Sequence, residues 1–134
     1  MTAQDAAPPA RPTLPVRVLF AAHAVATAAA GAALIVSPAA IPAAVGIDLP
    51  REANLVAYPL GAVELAVAVL SMAVIAITDR AAVRLIAMVF VVMHVATSAV
   101  EMIAIVEGAS PLVWANVALR VVVAALFAVV ALRR

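Results

Sequence analysis

The chain has 134 residues, of which 69% are hydrophobic and 11% charged, with eight arginines and no lysine against seven acidic residues. Soluble domains carry about a quarter charged residues, so this composition excludes a water-soluble globular fold and indicates an integral membrane protein. The absence of cysteine excludes disulfides, thiolate metal sites and thiol nucleophiles, and the net charge of +1 gives no footprint for nucleic acid.

The chain divides into a short tail and one apolar domain. Residues 1–13 include three of the nine prolines and few large apolar side chains, which predicts a disordered cytoplasmic tail. Residues 14–134 are predicted to form a transmembrane domain with four apolar stretches, at 14–36, 54–78, 81–106 and 111–132. A helix needs about 20 apolar residues to cross a hydrocarbon core of ~30 Å, and each stretch has that length.

The links between the stretches predict how the helices are arranged. The second and third links, at 79–80 and 108–110, are so short that consecutive helices must be antiparallel neighbours. The first link, 37–52, contains three prolines that forbid a continuous helix, and we expect a short interfacial turn there. The sequence therefore predicts an all-α integral membrane protein with an antiparallel four-helix transmembrane bundle.

Arginine placement predicts the orientation. Six arginines fall on one side of the predicted spans and one on the other, and cytoplasmic loops retain arginine and lysine. Both termini are therefore expected in the cytoplasm. The alanine, valine and arginine bias without lysine is typical of a high-GC bacterial genome, so the expected location is the bacterial plasma (inner) membrane. A cleaved signal peptide would have an apolar core of about 7–15 residues, shorter than the first stretch. The six arginines are Arg11, Arg17, Arg80, Arg84, Arg133 and Arg134, opposite Arg51.

Polar side chains within the predicted spans are the candidate functional residues. Intramembrane titratable groups usually face a bundle interior or a cavity. On the third span, positions 94, 97, 98 and 101 are polar and lie on one helix face, and shorter polar stripes occur on the other spans. The sequence predicts one polar interior that contains His23, Glu64, His94, Glu101, Asn116 and Arg120.

The sharpest structural prediction concerns an ion pair. At a rise of ~1.5 Å per residue, Glu64 and Arg120 both lie about 3 Å from the midpoints of their spans, toward the non-cytoplasmic side. We therefore expect Glu64 and Arg120 to form the central ion pair of the bundle. Glu101 and Asn116 are the alternative partners of Arg120.

These polar residues suit more than one function. Two carboxylates accompany one arginine, so one carboxyl lacks a full partner, and a low-dielectric interior favours its protonated form. Such a group could serve proton-coupled transport or quinone chemistry. His23 and His94 are interpreted as hydrogen-bonded core residues, with bis-histidine haem ligation as an alternative. No catalytic residues and no metal ligands are assigned, because no nucleophile, phosphate-loop or HExxH motif is present.

The segment LGAVELAVAVLSMA, residues 60–73, resembles the G-x-x-E-L helix of the DoxX-like small membrane proteins. The matching positions are Gly61, Glu64 and Leu65. The layout of four helices, a proline-containing first link and a short second link is also similar. The resemblance implies a component of quinone-linked redox chemistry.

The sequence predicts an accessory or structural membrane component without its own catalysis. The DoxX-like role with quinone is the alternative, and haem binding is a third hypothesis. No cofactor is the leading expectation. The expected partners are the lipid bilayer and either further copies of the chain or a larger membrane complex, and no nucleic acid.

Overall fold

A computed structural model describes residues 11–133, in which the regular secondary structure is helical and no strand is formed. The predicted disorder of the tail concerns residues 1–10, which lie outside the described part, and residues 11–13, which precede the first helix. The helices are α1 (Leu14–Val36), α2 (Ala40–Ala44), a 3₁₀ helix (Arg51–Ala53), α3 (Asn54–Val74), α4 (Arg80–Val106) and α5 (Val113–Leu132).

Four of the described helical segments are long and apolar enough to cross a membrane: Leu14–Val36, Arg51–Val74, Arg80–Val106 and Val113–Leu132. The first has the predicted bounds, but the second ends four residues before the predicted Thr78. Residues 75–77 instead donate backbone hydrogen bonds three residues back, which tightens the end of α3. The Asp79 side chain then accepts from Ala81 N at 2.8 Å and caps α4.

The first link contains the short helix α2, where an interfacial turn is predicted, and then the 3₁₀ helix. Gly46 adopts a positive φ of 76°, which L side chains rarely adopt. A Cβ placed there would lie 3.7 Å from Ser110 Cβ, so the first link lies against the link between α4 and α5.

The long helices pack closely in two pairs, α1 with α3 and α4 with α5. In the first pair, Gly31 and Gly61 let the two backbones approach. A Cβ on Gly31 would lie 2.7 Å from the Gly61 carbonyl oxygen, and a Cβ on Gly61 would lie 2.9 Å from the Gly31 oxygen. The predicted close approach at Gly61 is confirmed, and it is the contact that small residues provide between apolar helices.

Gly61→Val is expected to destabilise the protein by about 1–3 kcal/mol, because the new side chain meets backbone atoms that cannot rotate away. The matched control is Ala62→Val on the exposed face of α3. The measurement is unfolding of both variants in one detergent. Equal stabilities would show that α1 and α3 do not depend on this approach.

Aromatic side chains connect the two helix pairs. Phe20 of α1, Phe90 of α4 and Phe127 of α5 are 0–1% exposed. The ring centroids of Phe127 lie 5.1 Å from those of both Phe20 and Phe90, in edge-to-face arrangements. These three residues, hereafter the phenylalanine cluster, form the centre of the buried apolar core.

Candidate functional site

A chain of hydrogen bonds crosses the interior beside the phenylalanine cluster. His23 Nδ1 of α1 lies 2.9 Å from Ser71 Oγ of α3, and His23 Nε2 lies 3.1 Å from His94 Nε2 of α4. All three residues are buried. The His23 ring also lies edge-on to Phe127, with centroids 5.0 Å apart. The two histidines, predicted to be hydrogen-bonded core residues, therefore bond directly to each other across the two helix pairs.

The hydrogen-bond geometry assigns a tautomer to each histidine. Ser71 Oγ donates its proton to Val67 O at 2.8 Å, so it accepts from His23 Nδ1. His23 Nε2 then carries a lone pair and accepts from His94 Nε2. The lone pair of His94 Nδ1 remains, and within the described residues it has no hydrogen-bond partner. This assignment takes both rings as neutral.

A second polar group joins α4 to α5. Glu101 Oε1 accepts from Asn116 Nδ2 at 2.6 Å and from Arg120 Nε at 3.0 Å. The Arg120 and Glu101 side chains are 22% and 17% exposed. One carboxylate oxygen thus receives two donors from successive turns of α5.

The predicted Glu64–Arg120 ion pair is wrong in its acidic partner. Arg120 pairs with Glu101, the alternative partner, and within residues 11–133 no other ion pair is formed. Glu64 is half-buried on α3. The physical reason is helix adjacency: α5 packs closely against α4 rather than α3, and the six-residue link brings Glu101 and Asn116 face to face.

Three buried polar atoms lack partners among the described residues. They are His94 Nδ1, Ser98 Oγ and Glu101 Oε2, and they follow one another along a single face of α4. Buried polar groups are normally hydrogen-bonded, and ordered water satisfies many that protein atoms do not. Water or polar ligands bound to these three atoms would therefore connect the histidine pair to the Glu101 group along this face of α4.

The two buried serines are expected to respond differently to truncation. Ser71→Ala removes the acceptor of His23 Nδ1 and should destabilise the protein by about 1–3 kcal/mol. Ser98→Ala removes a hydroxyl without a partner and should be neutral or stabilising. Unfolding of both variants in the same detergent tests the contrast. A loss at Ser98 as large as at Ser71 would show that Ser98 Oγ has a bound partner.

The histidine pair does not fit bis-histidine haem ligation in this arrangement. An iron between two nitrogens would separate them by about 4 Å, twice a metal–nitrogen bond of ~2.0–2.1 Å, whereas the two Nε2 atoms are 3.1 Å apart and bond to each other. The phenylalanine cluster packs against the His23 ring, where a macrocycle would need space. Within the described residues, no group of three or more histidine, cysteine or acidic side chains could hold a metal ion.

The sequence predicts one polar interior of six residues, whereas the structure forms two groups, His23 with His94 and Glu101 with Asn116 and Arg120. Glu64 belongs to neither group, and the sequence reasoning also missed the surroundings of the histidines. Phe20 and Phe90 precede His23 and His94 by one helical turn, and this shared spacing was the available signal. Phe127 had no comparable signal, because no histidine lies on α5. Comparison with known protein families, curated proteins and solved structures finds no significant match.

Proposed function

We propose that the chain is a multi-pass protein of the bacterial plasma membrane, with four antiparallel spans and both ends of the bundle domain in the cytoplasm. The four long apolar helices support insertion. A contact between the start of one helix and the end of the next supports the antiparallel order, as between Arg84 Nε of α4 and Ala131 O of α5 at 2.9 Å. The arginine distribution supports the orientation.

Reporter fusions test this topology. A cytoplasmic reporter joined after residue 134 is expected to be active, and the same reporter inserted in the 37–52 link is expected to be silent. A reporter of the opposite compartment gives the reciprocal pattern. Cytoplasmic activity from the first link would contradict the topology.

Within that membrane, the proposed role is that of an accessory or structural component without its own catalysis. The observation that carries the proposal is that the interior polar groups bond one another from helix to helix. Ser71, His23 and His94 connect α3, α1 and α4, and Glu101 connects α4 to α5. Interhelical hydrogen bonds of this kind stabilise a bundle and specify its helix partners.

The structural role makes a specific expectation for assembly. After in-membrane crosslinking, the wild-type chain should be found in a species larger than one copy. The Glu101→Gln/Arg120→Gln variant, which keeps a neutral hydrogen-bonding pair, should give the same species. A wild-type chain that crosslinks to nothing would contradict an accessory role. Loss of the crosslinked species in a stably folded double variant would show that the Glu101–Arg120 pair has a function beyond stabilising the fold.

A second candidate function is proton transfer coupled to a quinone or another lipophilic substrate. It is favoured by the three unpartnered atoms of α4, because a water chain through them would link His94 Nδ1 to Glu101 Oε2. The resemblance of Gly61, Glu64 and Leu65 to the DoxX-like motif supports the same direction, as does the half-buried Glu64 carboxyl.

Proteoliposomes separate the two candidates. Under an imposed potassium diffusion potential, the structural role predicts no proton uptake above that of empty vesicles, read by an entrapped pH dye. Uptake that His94→Leu abolishes and Ser98→Ala slows would favour proton transfer. Quinone that co-purifies with the wild type and is lost from Glu64→Gln would extend that role to a quinone partner.

A further inference from the structure

Four arginines surround a cavity at one end of the bundle. Arg11 precedes α1, Arg80 and Arg84 lie in the first turns of α4, and Arg133 follows α5. The cavity has a volume of about 270 Å³, well above the ~10–15 Å³ that a single water molecule needs on the same measure. No carboxylate of the described part lines it.

One of these guanidinium groups is held in place. Arg84 Nε donates to Ala131 O at 2.9 Å, which ties the start of α4 to the end of α5. This bond uses only Nε, so the two terminal nitrogens of Arg84 keep their donors for a ligand. Guanidinium groups bind phosphate oxygens through paired, charge-assisted hydrogen bonds.

An apolar groove continues from this cavity. It runs between α1 and α5, has a volume of about 450 Å³, and shares Val16, Val130 and Arg133 with the arginine cavity. Apart from Arg133, every residue that lines the groove is apolar. α1 and α5 belong to different helix pairs and pack less closely than the helices within a pair. The groove is therefore the seam between the two pairs.

We propose that the arginine cavity and the groove together bind one anionic phospholipid, with its phosphate-bearing headgroup on the arginines and an acyl chain in the seam. The proposal rests on the proposed membrane insertion. Charge complementarity identifies the headgroup, because basic sites at the cytoplasmic ends of transmembrane helices attract anionic lipids. The apolar continuation identifies a lipid rather than a soluble phosphate, because a soluble anion would make no use of the groove.

The test is retention of lipid by the full chain, measured by native mass spectrometry in detergent with added phosphatidylglycerol or phosphatidylcholine. The wild type is expected to retain phosphatidylglycerol in preference to phosphatidylcholine. Arg133→Gln, which alters the residue shared by both sites, should weaken that retention by about fivefold. Arg17→Gln is the matched control, because Arg17 is exposed at the same end and lines neither site.

A second variant tests the seam without changing charge. Ala22→Phe fills the groove and should also reduce retention, whereas Ala26→Phe, one turn further along α1 and outside the groove, should not. Equal losses in Arg133→Gln and Arg17→Gln would reduce the effect to general surface charge and overturn the site. Release of the lipid by inorganic phosphate at matched concentration would overturn the lipid as occupant.

Extraction from membranes distinguishes a chain that lacks the lipid site from a chain that is not inserted in the membrane. A chain that alkaline carbonate extracts from membranes would refute membrane insertion and the lipid site together. A chain that resists extraction but retains phosphatidylglycerol and phosphatidylcholine equally would refute the lipid site alone.

Discussion

Arg120→Leu is expected to lower the free energy of unfolding by about 3–5 kcal/mol, because it leaves the largely buried Glu101 carboxylate without its counter-charge. Asn116 still donates to Glu101 Oε1 but supplies no charge. The measurement is unfolding in mixed detergent micelles, followed by circular dichroism.

Double-mutant cycles identify the acidic partner. Arg120→Leu combined with Glu101→Gln should lose less than the sum of the single variants, with a coupling of about 0.5–3 kcal/mol, as is usual for residues in contact. Arg120→Leu combined with Glu64→Gln is the comparison and should show the smaller coupling, because Arg120 bonds directly to Glu101. A larger coupling with Glu64 would contradict the observed pairing and restore the original prediction.

The wrong partner was predicted for Arg120 because the prediction used only the estimated depth of each residue in the membrane. Glu64 and Arg120 have equal estimated depths, but depth carries no information on which helices are adjacent. The link between α4 and α5 carries that information, since residues a similar distance from a short link meet, as Glu101 and Asn116 do. The arginine side chain is long enough to reach back one turn to the same carboxylate.

Other features were predictable because they depend on local rules. The bounds of α1 follow from a proline in its first turn and another just after its end. Polar stripes predicted which faces turn inward, and His23 and His94 do so. The end of α3 was not predictable from hydropathy, because residues 75–77 are as apolar as the helix and depart from it only through their backbone hydrogen bonds.

The packing between the two helix pairs depends on the phenylalanine cluster, and this gives the second large expected effect. Phe127 is fully buried, and its ring contacts Phe20, Phe90 and His23 edge-on. Phe127→Ala should destabilise the protein by about 3–5 kcal/mol, through lost packing and the cavity that remains. Leu126→Ala is the matched control, because the neighbouring Leu126 is 47% exposed.

Phe127→Ala is also expected to change the surroundings of the two histidines, which a cavity confined to position 127 would not do. Phe127 lies against both imidazole rings, with centroids 5.0 Å from His23 and 6.3 Å from His94. Without the Phe127 ring, the His23–His94 hydrogen bond loses the aromatic packing that holds the two imidazole rings in place. Phe127→Leu, which keeps much of the volume, should therefore lose less stability than Phe127→Ala.

Histidine ring nitrogen resonances, recorded by NMR in detergent, should shift in Phe127→Ala and stay unchanged in Leu126→Ala. Unshifted resonances in Phe127→Ala would show that Ser71 and the helix backbones alone position the pair.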